Sequence, residues 1–401
     1  MRKFQRFLAS VVALAVLYGV YRYSFRKDSE GNYLFLLPGE GGRSASDSEQ
    51  QSSAVSSERE WSSVDPSRLA NLTGFEYVIA NDICKENGSF SELLGVILVT
   101  SYVGHDEIRA AHRQAISQQK LLSMGLLRIF SLASIPPTEK FITQAAIEAE
   151  QRLHGDLIQG NFVEAYRNLT YKHLMSLQWA TQHCRGAKYL LKMDDDIVYD
   201  PFYIQNYLSD LHQSEEARNP HHHHHLLAGY VFRSKKVIRL QANKWYVSRD
   251  EFPGDIYPPY LSGWLYITNQ RTARALAAES QKAGSNFFWI DDTFITGILA
   301  QRLQIQPTAL NRWYSSNSEF LDCCIRDMKR YSYQCDYYVG PNGGNGKLIM
   351  EFIQELERCY DNACYQRPPG KSLTATCVAE YKQQIQPDHG TAMISQMKLR
   401  K

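Results

Sequence analysis

From Leu93 onward, short unbroken apolar runs alternate with stretches whose apolar positions recur every three or four residues. Leu93 to Thr100 (LLGVILVT) has the composition of a strand buried on both faces. Asp106 to Met124 predicts a helix, Leu126 to Ala133 a second strand, Thr138 to Leu153 another helix and Asp156-Leu157-Ile158 a short third strand. Ala165 to Cys184 carries Tyr166, Leu169, His173, Leu177, Ala180 and Cys184 on one stripe, which predicts an amphipathic helix. Ala187 to Met193 reads as a strand running into Asp194-Asp195-Asp196. A helix follows Pro201, and Leu226 to Phe232 reads as a further strand. Strands alternating with helices predict an α/β fold, a mostly parallel central sheet with helices on both faces. Ligands bind beyond the carboxyl ends of such strands, where Asp194 to Asp196 stand. No internal repeat is visible.

Ahead of this region the pattern changes. Phe7 to Tyr21 (FLASVVALAVLYGVY) is uncharged between Arg6 and Arg22. At about 15 residues it is short against the ~20 of a typical span, which suits a thinner membrane of the early secretory pathway. Tyr18, Tyr21, Tyr23 and the flanking arginines suit the interface. Ala13-Leu14-Ala15 has the shape of a cleavage site, but cutting there leaves an apolar core of only about eight residues, so an uncleaved anchor is expected. Gly39 to Ser67 is rich in Ser, Glu and Gly and lacks the apolar residues to fold; it reads as a stem. The expected organisation is a cytosolic tail over 1–6, a transmembrane signal-anchor over 7–23, a flexible stem over 24–80, the main domain over 81–319 and a Cys-rich extension over 320–401.

Composition adds the compartment. Sequons at Asn71, Asn87 and Asn168 fit a lumenal body. Of the eight cysteines, Cys323, Cys324, Cys335, Cys359, Cys364 and Cys377 crowd the tail without zinc-ribbon spacing, so disulfides are expected. Cys84 and Cys184 lie apart from that cluster and are expected to pair with each other; the six in the tail leave their connectivity open. Lys plus Arg (44) nearly balances Asp plus Glu (42), and no basic face stands out, which excludes nucleic acid as a partner. The run His221 to His225 reads as a solvated loop, with adventitious metal binding as the other reading.

Three adjacent aspartates after an apolar strand repel one another, and a divalent cation removes that cost. In an extended chain Asp194 and Asp196 share a side and Asp195 faces the other. One metal bridging an aspartate and a diphosphate would neutralise the charge of a leaving nucleotide. A second acidic pair, Asp291-Asp292, opens a helix; it reads as an N-cap or as a general base. The Trp-, Tyr- and Pro-rich stretch from Asn243 to Thr268 suits either core packing or a sugar ring.

The order of these segments resembles the β-1,3-galactosyltransferases, the inverting GT-A enzymes of glycosyltransferase family 31, which include β-1,3-N-acetylglucosaminyltransferases and, more distantly, the Fringe proteins. The resemblance rests on Ile97 to Ser101 with Arg109 and Arg113; Glu148 through Gly155-Asp156-Leu157; Glu164 to Thr170 with Lys172; Trp179 and Cys184; Lys192 to Asp196; Lys244 to Ser248; Tyr257 to Tyr260 with Ser262-Gly263; and Asp291-Asp292. It covers about Leu93 to Leu310. It implies a GT-A (Rossmann-like) catalytic domain and a Golgi type II membrane hexosyltransferase with a lumenal catalytic domain. Such an enzyme moves galactose or N-acetylglucosamine from UDP-galactose or UDP-N-acetylglucosamine, with Mn²⁺, to a glycan on protein or lipid in β-1,3 linkage. By the same resemblance Asp196 holds Mn²⁺, with Asp194 as a second metal contact near the ribose. Arg109, Arg113, Lys172, Asp194, Asp195 and Gly263 fall at the donor site, and Asp292, with Asp291 beside it, falls on the base.

Three departures stand out. Gln114-Ala115-Ile116 follows Arg113 where the family has Thr-Trp; the glycine after the acidic pair arrives one residue late, at Gly297; and His389 is the only histidine beyond His225. The third metal contact is thus left to water, to His389 or to nothing. The rivals are a pseudo-glycosyltransferase that binds UDP or glycan without turnover and, remotely, a HAD-type phosphatase using Asp194-x-Asp196.

Overall fold

The computed structural model describes residues 64–86, 93–218, 224–362 and 364–377. The expected anchor, most of the stem, Asn87, His221 to His223 and His389 lie outside them. Among the described residues no helix is long and apolar enough to cross a membrane.

A small hairpin, β1 (Arg68–Leu69) with β2 (Leu72–Thr73), leads to β3 (Tyr77–Ile79). The main run follows: β4 (Gly95–Thr100), α1 (Asp106–Ala115), α2 (Gln118–Ser123), β5 (Leu126–Ser134), α3 (Gln144–His154), β6 (Leu157–Val163), α4 (Leu169–His183) and β7 (Tyr189–Asp194). Next come β8 (Ile197–Tyr199), α5 (Pro201–Arg218), β9 (Leu227–Phe232), β10 (Tyr260–Asn269), α6 (Gln270–Ser280) and a π-helix at Thr293–Leu299. β11 (Thr308–Ala309), α7 (Glu319–Tyr331), β12 (Val339–Pro341) and α8 (Gly346–Asn362) complete the larger elements.

The main sheet has eight strands in the order β11-β9-β10-β7-β4-β5-β6-β3. β7, β4, β5 and β6 run parallel, as the apolar runs predict; β10 and β3 join them antiparallel, so the sheet is mixed. All six residues of β4 are buried because both faces are covered. Val96 and Leu98 point into one apolar core with Leu174, Leu177 and Trp179 of α4. Ile97 and Val99 point into the other with Phe202 and Leu208 of α5.

Local chemistry corrects several predicted bounds. The single helix expected over 106–124 breaks at Ile116, and Ser117 caps α2 by accepting from Lys120 N–H. The helix expected from Thr138 starts at Gln144, where Thr143 supplies the cap at Ala146 N–H. It stops at Gly155, whose φ of 65° is left-handed. The helix after the second acidic pair is wound as a π-helix for its first seven residues.

The tail is built into the same core rather than appended to it. β12 pairs antiparallel with β8, directly after the aspartate run. Leu321, Ile325, Met328, Ile349, Phe352 and Ile353 share the apolar cluster of Ile97 and Val99. Cys84–Cys184 pair as expected, and the tail pairs are Cys323–Cys377, Cys324–Cys335 and Cys359–Cys364.

Candidate active site

The two acidic segments meet. β7 delivers Asp194 at its carboxyl end, level with Thr100 of β4. Antiparallel β10 brings Gly263 alongside, and the helical turn that opens the π-helix brings Asp291 and Asp292. A Cβ on Gly263 would lie 3.2 Å from Lys192 Nζ, 3.6 Å from Asp194 Oδ2 and 3.7 Å from Asp292 Cβ. The absent side chain leaves the space between the two acidic segments open.

Lys192 is the cation that joins them. It lies two residues before Asp194 on the same strand face and is fully buried. Its Nζ donates to Asp194 Oδ1 (2.7 Å) and to Gly263 O (3.0 Å), and lies 3.6 Å from Asp291 Oδ2. Burial alone would lower its pKa, but the charges of Asp194 and Asp291 hold it well above the ordinary value.

The adjacent aspartates Asp291 and Asp292 have opposite environments. Asp291 also contacts His173 Nδ1 at 2.9 Å. Against the pull of burial, Lys192 and His173 hold its carboxyl well below the usual range. Asp292 caps the π-helix, accepting from Thr293 N–H at 2.6 Å. Burial, and then the charge of Asp291, push its carboxyl up to about 7. Asp194 is likewise pushed up to about 7, first by burial and then by Asp196 and Asp291. A pair of carboxyls driven apart in this way separates a fixed charge from a proton acceptor.

Asp195 lies with Asp196 in the turn between β7 and β8, not on the extended strand that the alternation assumed. It accepts from Ser101 O–H (2.7 Å) and contacts His105 Nδ1 (2.9 Å), while its backbone oxygen meets His112 Nε2. These contacts tie the aspartate run to the loop after β4. Asp196 is exposed, and its backbone oxygen accepts from Asn342 N–H of the tail at 2.9 Å.

The basic residues assigned to the donor site sit further back. Arg109 is wholly buried and gives its N–H groups to Glu150, Ser101 Oγ, Tyr102 O and Val103 O. Arg113 pairs with Asp156 and Glu150. Lys172 is buried between Glu164 and the carbonyl of Ser101. In this structure Arg109 and Lys172 stiffen the loop after β4 and offer no free cation to a ligand, while Arg113 ties α1 to α3 and to the start of β6.

Beside Asp291-Asp292 stands an aromatic wall. Trp245 Nε1–H donates to Tyr166 Oη (2.7 Å), the Tyr166 ring lies 5.9 Å from Trp289, and Lys244 Nζ sits 4.1 Å over Trp245. Part of the aromatic stretch thus faces the site, while Val247 and Tyr257 enter the core. The sequons at Asn71 and Asn168 are both engaged: Asn71 Oδ1 accepts from Tyr171 O–H, and Asn168 Nδ2 donates to Val163 O. The described part of the histidine run makes polymer contacts, His225 meeting Thr272 Oγ1 at 3.1 Å.

Sequence reading missed Lys192 and His173 as site residues. The signal for Lys192 was present: a lysine inside an apolar strand, in phase with Asp194. His173 was read as one apolar-stripe position among others. Among the described residues no three His, Cys, Asp or Glu side chains converge as a metal cluster.

Residues 108–311, half of the chain, match the family profile described as Galactosyltransferase. The chain belongs to that family, and so to the hexosyltransferases. It is 31% identical over 210 residues to the β-1,3-galactosyltransferase brn of Drosophila melanogaster, covering 52% of this chain and 60% of that one. The human β-1,3-galactosyltransferase 5 is 29% identical over 274 residues, covering 67% of this chain and 80% of its own. A mouse acetylgalactosaminyl-O-glycosyl-glycoprotein β-1,3-N-acetylglucosaminyltransferase is 32% identical over 218 residues, 53% of each. The family match ends within the loop before α7, so the Cys-rich tail lies beyond it.

Proposed function

We propose that this chain transfers galactose or N-acetylglucosamine from a UDP-sugar to a glycan hydroxyl, in β-1,3 linkage and with inversion. The observation that carries the reading is the meeting of Asp194 with Asp291-Asp292 across the open space at Gly263. Asp292 is the base: its carboxyl sits next to a permanently ionised neighbour and is raised to about 7, which suits taking a proton from a hydroxyl near neutral pH. Asp291 is held by Lys192 and His173, so of the adjacent pair Asp292 is the one left to act as a base, which supports a single displacement and hence a β-linked product from an α-linked donor. Tyr166 and Trp245, backed by the buried Trp289, suit the flat face of the acceptor sugar.

The donor chemistry fits a divalent cation. Asp194, Asp196, Asp291 and Asp292 crowd one buried lysine, and burial, then like charge, raises the carboxyls of Asp194 and Asp292 to about 7. Asp196 and Asp194 would hold Mn²⁺ together with the diphosphate and water, their oxygens being hard donors of the right kind. When bound, the metal supplies charge neutralisation for the leaving UDP. Lys192 keeps Asp194 oriented, and Asp195 anchors the run to Ser101 and His105.

We extend the proposal to topology: a Golgi type II protein, anchored by the apolar run at 7–23, with sugars on its sequons. Endoglycosidase treatment of the membrane fraction should lower its apparent mass. A mature soluble protein beginning near Val16 would remove the anchor. Donor identity is tested by transfer from each UDP-sugar with Mn²⁺ across a glycan panel. UDP binding without transfer to any acceptor would favour the binding-only reading.

A further inference from the structure

Behind Asp291 lies a buried chain of contacts that the transfer reaction itself does not use. His173, on α4, is fully buried. Its Nδ1 lies 2.9 Å from Asp291 Oδ2, and its Nε2 lies 2.6 Å from Tyr266 Oη, on β10. Tyr266 is also fully buried, and its ring is inclined 38° to the imidazole, with 5.6 Å between centroids.

The hydrogen-bonding capacities leave one arrangement that satisfies every atom. Burial keeps the Tyr266 phenol protonated, so its O–H donates to His173 Nε2. Nε2 is then the acceptor, and the single proton of a neutral imidazole resides on Nδ1. Nδ1–H donates to the Asp291 carboxylate. Burial favours the neutral ring. The tyrosine thereby selects the tautomer, and the tautomer fixes the carboxylate, as outer partners do for other functional side chains. Without this contact, Asp291 would keep only the backbone N–H of Asp292 and Lys192, 3.6 Å away.

We propose that His173 and Tyr266 are positioning residues for transfer: together they lock the rotamer of Asp291, so that the adjacent Asp292 faces the acceptor hydroxyl. This rests on the reading of Asp292 as the base. α4, β10 and the helical turn that opens the π-helix each contribute one member, so the lock also fixes that helix start against the sheet. The site's tolerance for misplacement is small, and a shift near 1 Å can cost about 10²-fold in rate.

The test uses the full-length chain and steady-state transfer. Wild type, His173→Phe, His173→Gln and Tyr266→Phe are compared for kcat, donor KM, UDP binding by calorimetry and melting temperature. His173→Phe keeps a ring of similar size but has no polar atom. It should lower kcat by roughly 10–100-fold while donor KM and UDP affinity stay within about twofold. His173→Gln, whose amide both donates and accepts, should recover most of the lost kcat. Tyr266→Phe frees the tautomer and should give an intermediate loss in a folded protein. A folded His173→Phe with wild-type kcat would overturn the inference. So would a kcat loss that follows the melting temperature and is not relieved by glutamine, since that is what packing alone would produce. Failure of the wild-type chain to transfer sugar at all would instead refute the reading of the site on which the inference stands.

Discussion

Asp291 and Asp292 differ only in what surrounds them, and that difference carries the proposed chemistry. Asp291 has Lys192 and His173; Asp292 has a backbone N–H and a charged neighbour. The base works as a carboxylate. Its ordinary value of 3.8 is raised to about 7, so kcat/KM for the free enzyme should fall as pH drops through about 7 rather than through about 4. The stability effect has the opposite sense. A carboxyl whose folded value exceeds its unfolded one favours folding when protonated, so this group's contribution is lost as pH rises from about 4 to about 7. Asp292→Asn should remove that slope from the melting temperature. A rate profile flat from pH 5 to 8 would contradict the assignment. The acidic pair itself was legible in the sequence; the split between its members was not, because it depends on a lysine 99 positions earlier in β7 and a histidine on α4.

At the scale of elements, apolar runs located β4, β5 and β7 to within two residues at each end, because a strand covered on both faces has few ways to be written. Amphipathic spacing found the end of α4 to within one residue but set its start four residues early, where Tyr166–Asn168 winds as a 3-10 turn, and the helix is buried on nearly every side. Bounds failed where a single polar side chain decides them, as with Ser117 and Thr143, or where a helix winds with π geometry after Asp292. The antiparallel entry of β10 was invisible, since strand direction leaves no mark on composition. Yet β10 carries Gly263 and Tyr266 and so builds half the site. The Cys84–Cys184 bridge ties the segment ahead of β4 to the end of α4, closing a loop of 100 residues. Replacing both cysteines by alanine should lower stability by about 2–4 kcal/mol, measured by denaturant unfolding, with UDP affinity unchanged once folded. A variant as stable as wild type would show that the bridge is dispensable.

At the scale of the molecule, the Cys-rich tail is a wall of the catalytic body. β12 pairs with β8, Asn342 N–H holds the backbone of Asp196, and Gly346 at the start of α8 packs against Ala111 of α1. The sequence suggested an extension because its resemblance and its cysteine density both change near residue 320. Truncation after Asn317 should therefore expose Ile97, Val99 and Ile197, and should yield a protein that is degraded in limited proteolysis and binds no UDP. A truncated chain that stays protease-resistant and binds UDP would return the tail to the status of an appendage. The central claim is that one site joins Asp194 and Asp196 at the donor to Asp292 at the acceptor. Its most direct test is sugar transfer measured beside calorimetric UDP binding, with Mn²⁺, for wild type and Asp292→Asn. The amide is nearly isosteric and still caps the helix, so UDP affinity should stay within about twofold while transfer falls by at least ~10²–10⁴. Wild-type transfer by Asp292→Asn, or loss of UDP binding in step with transfer, would contradict the account.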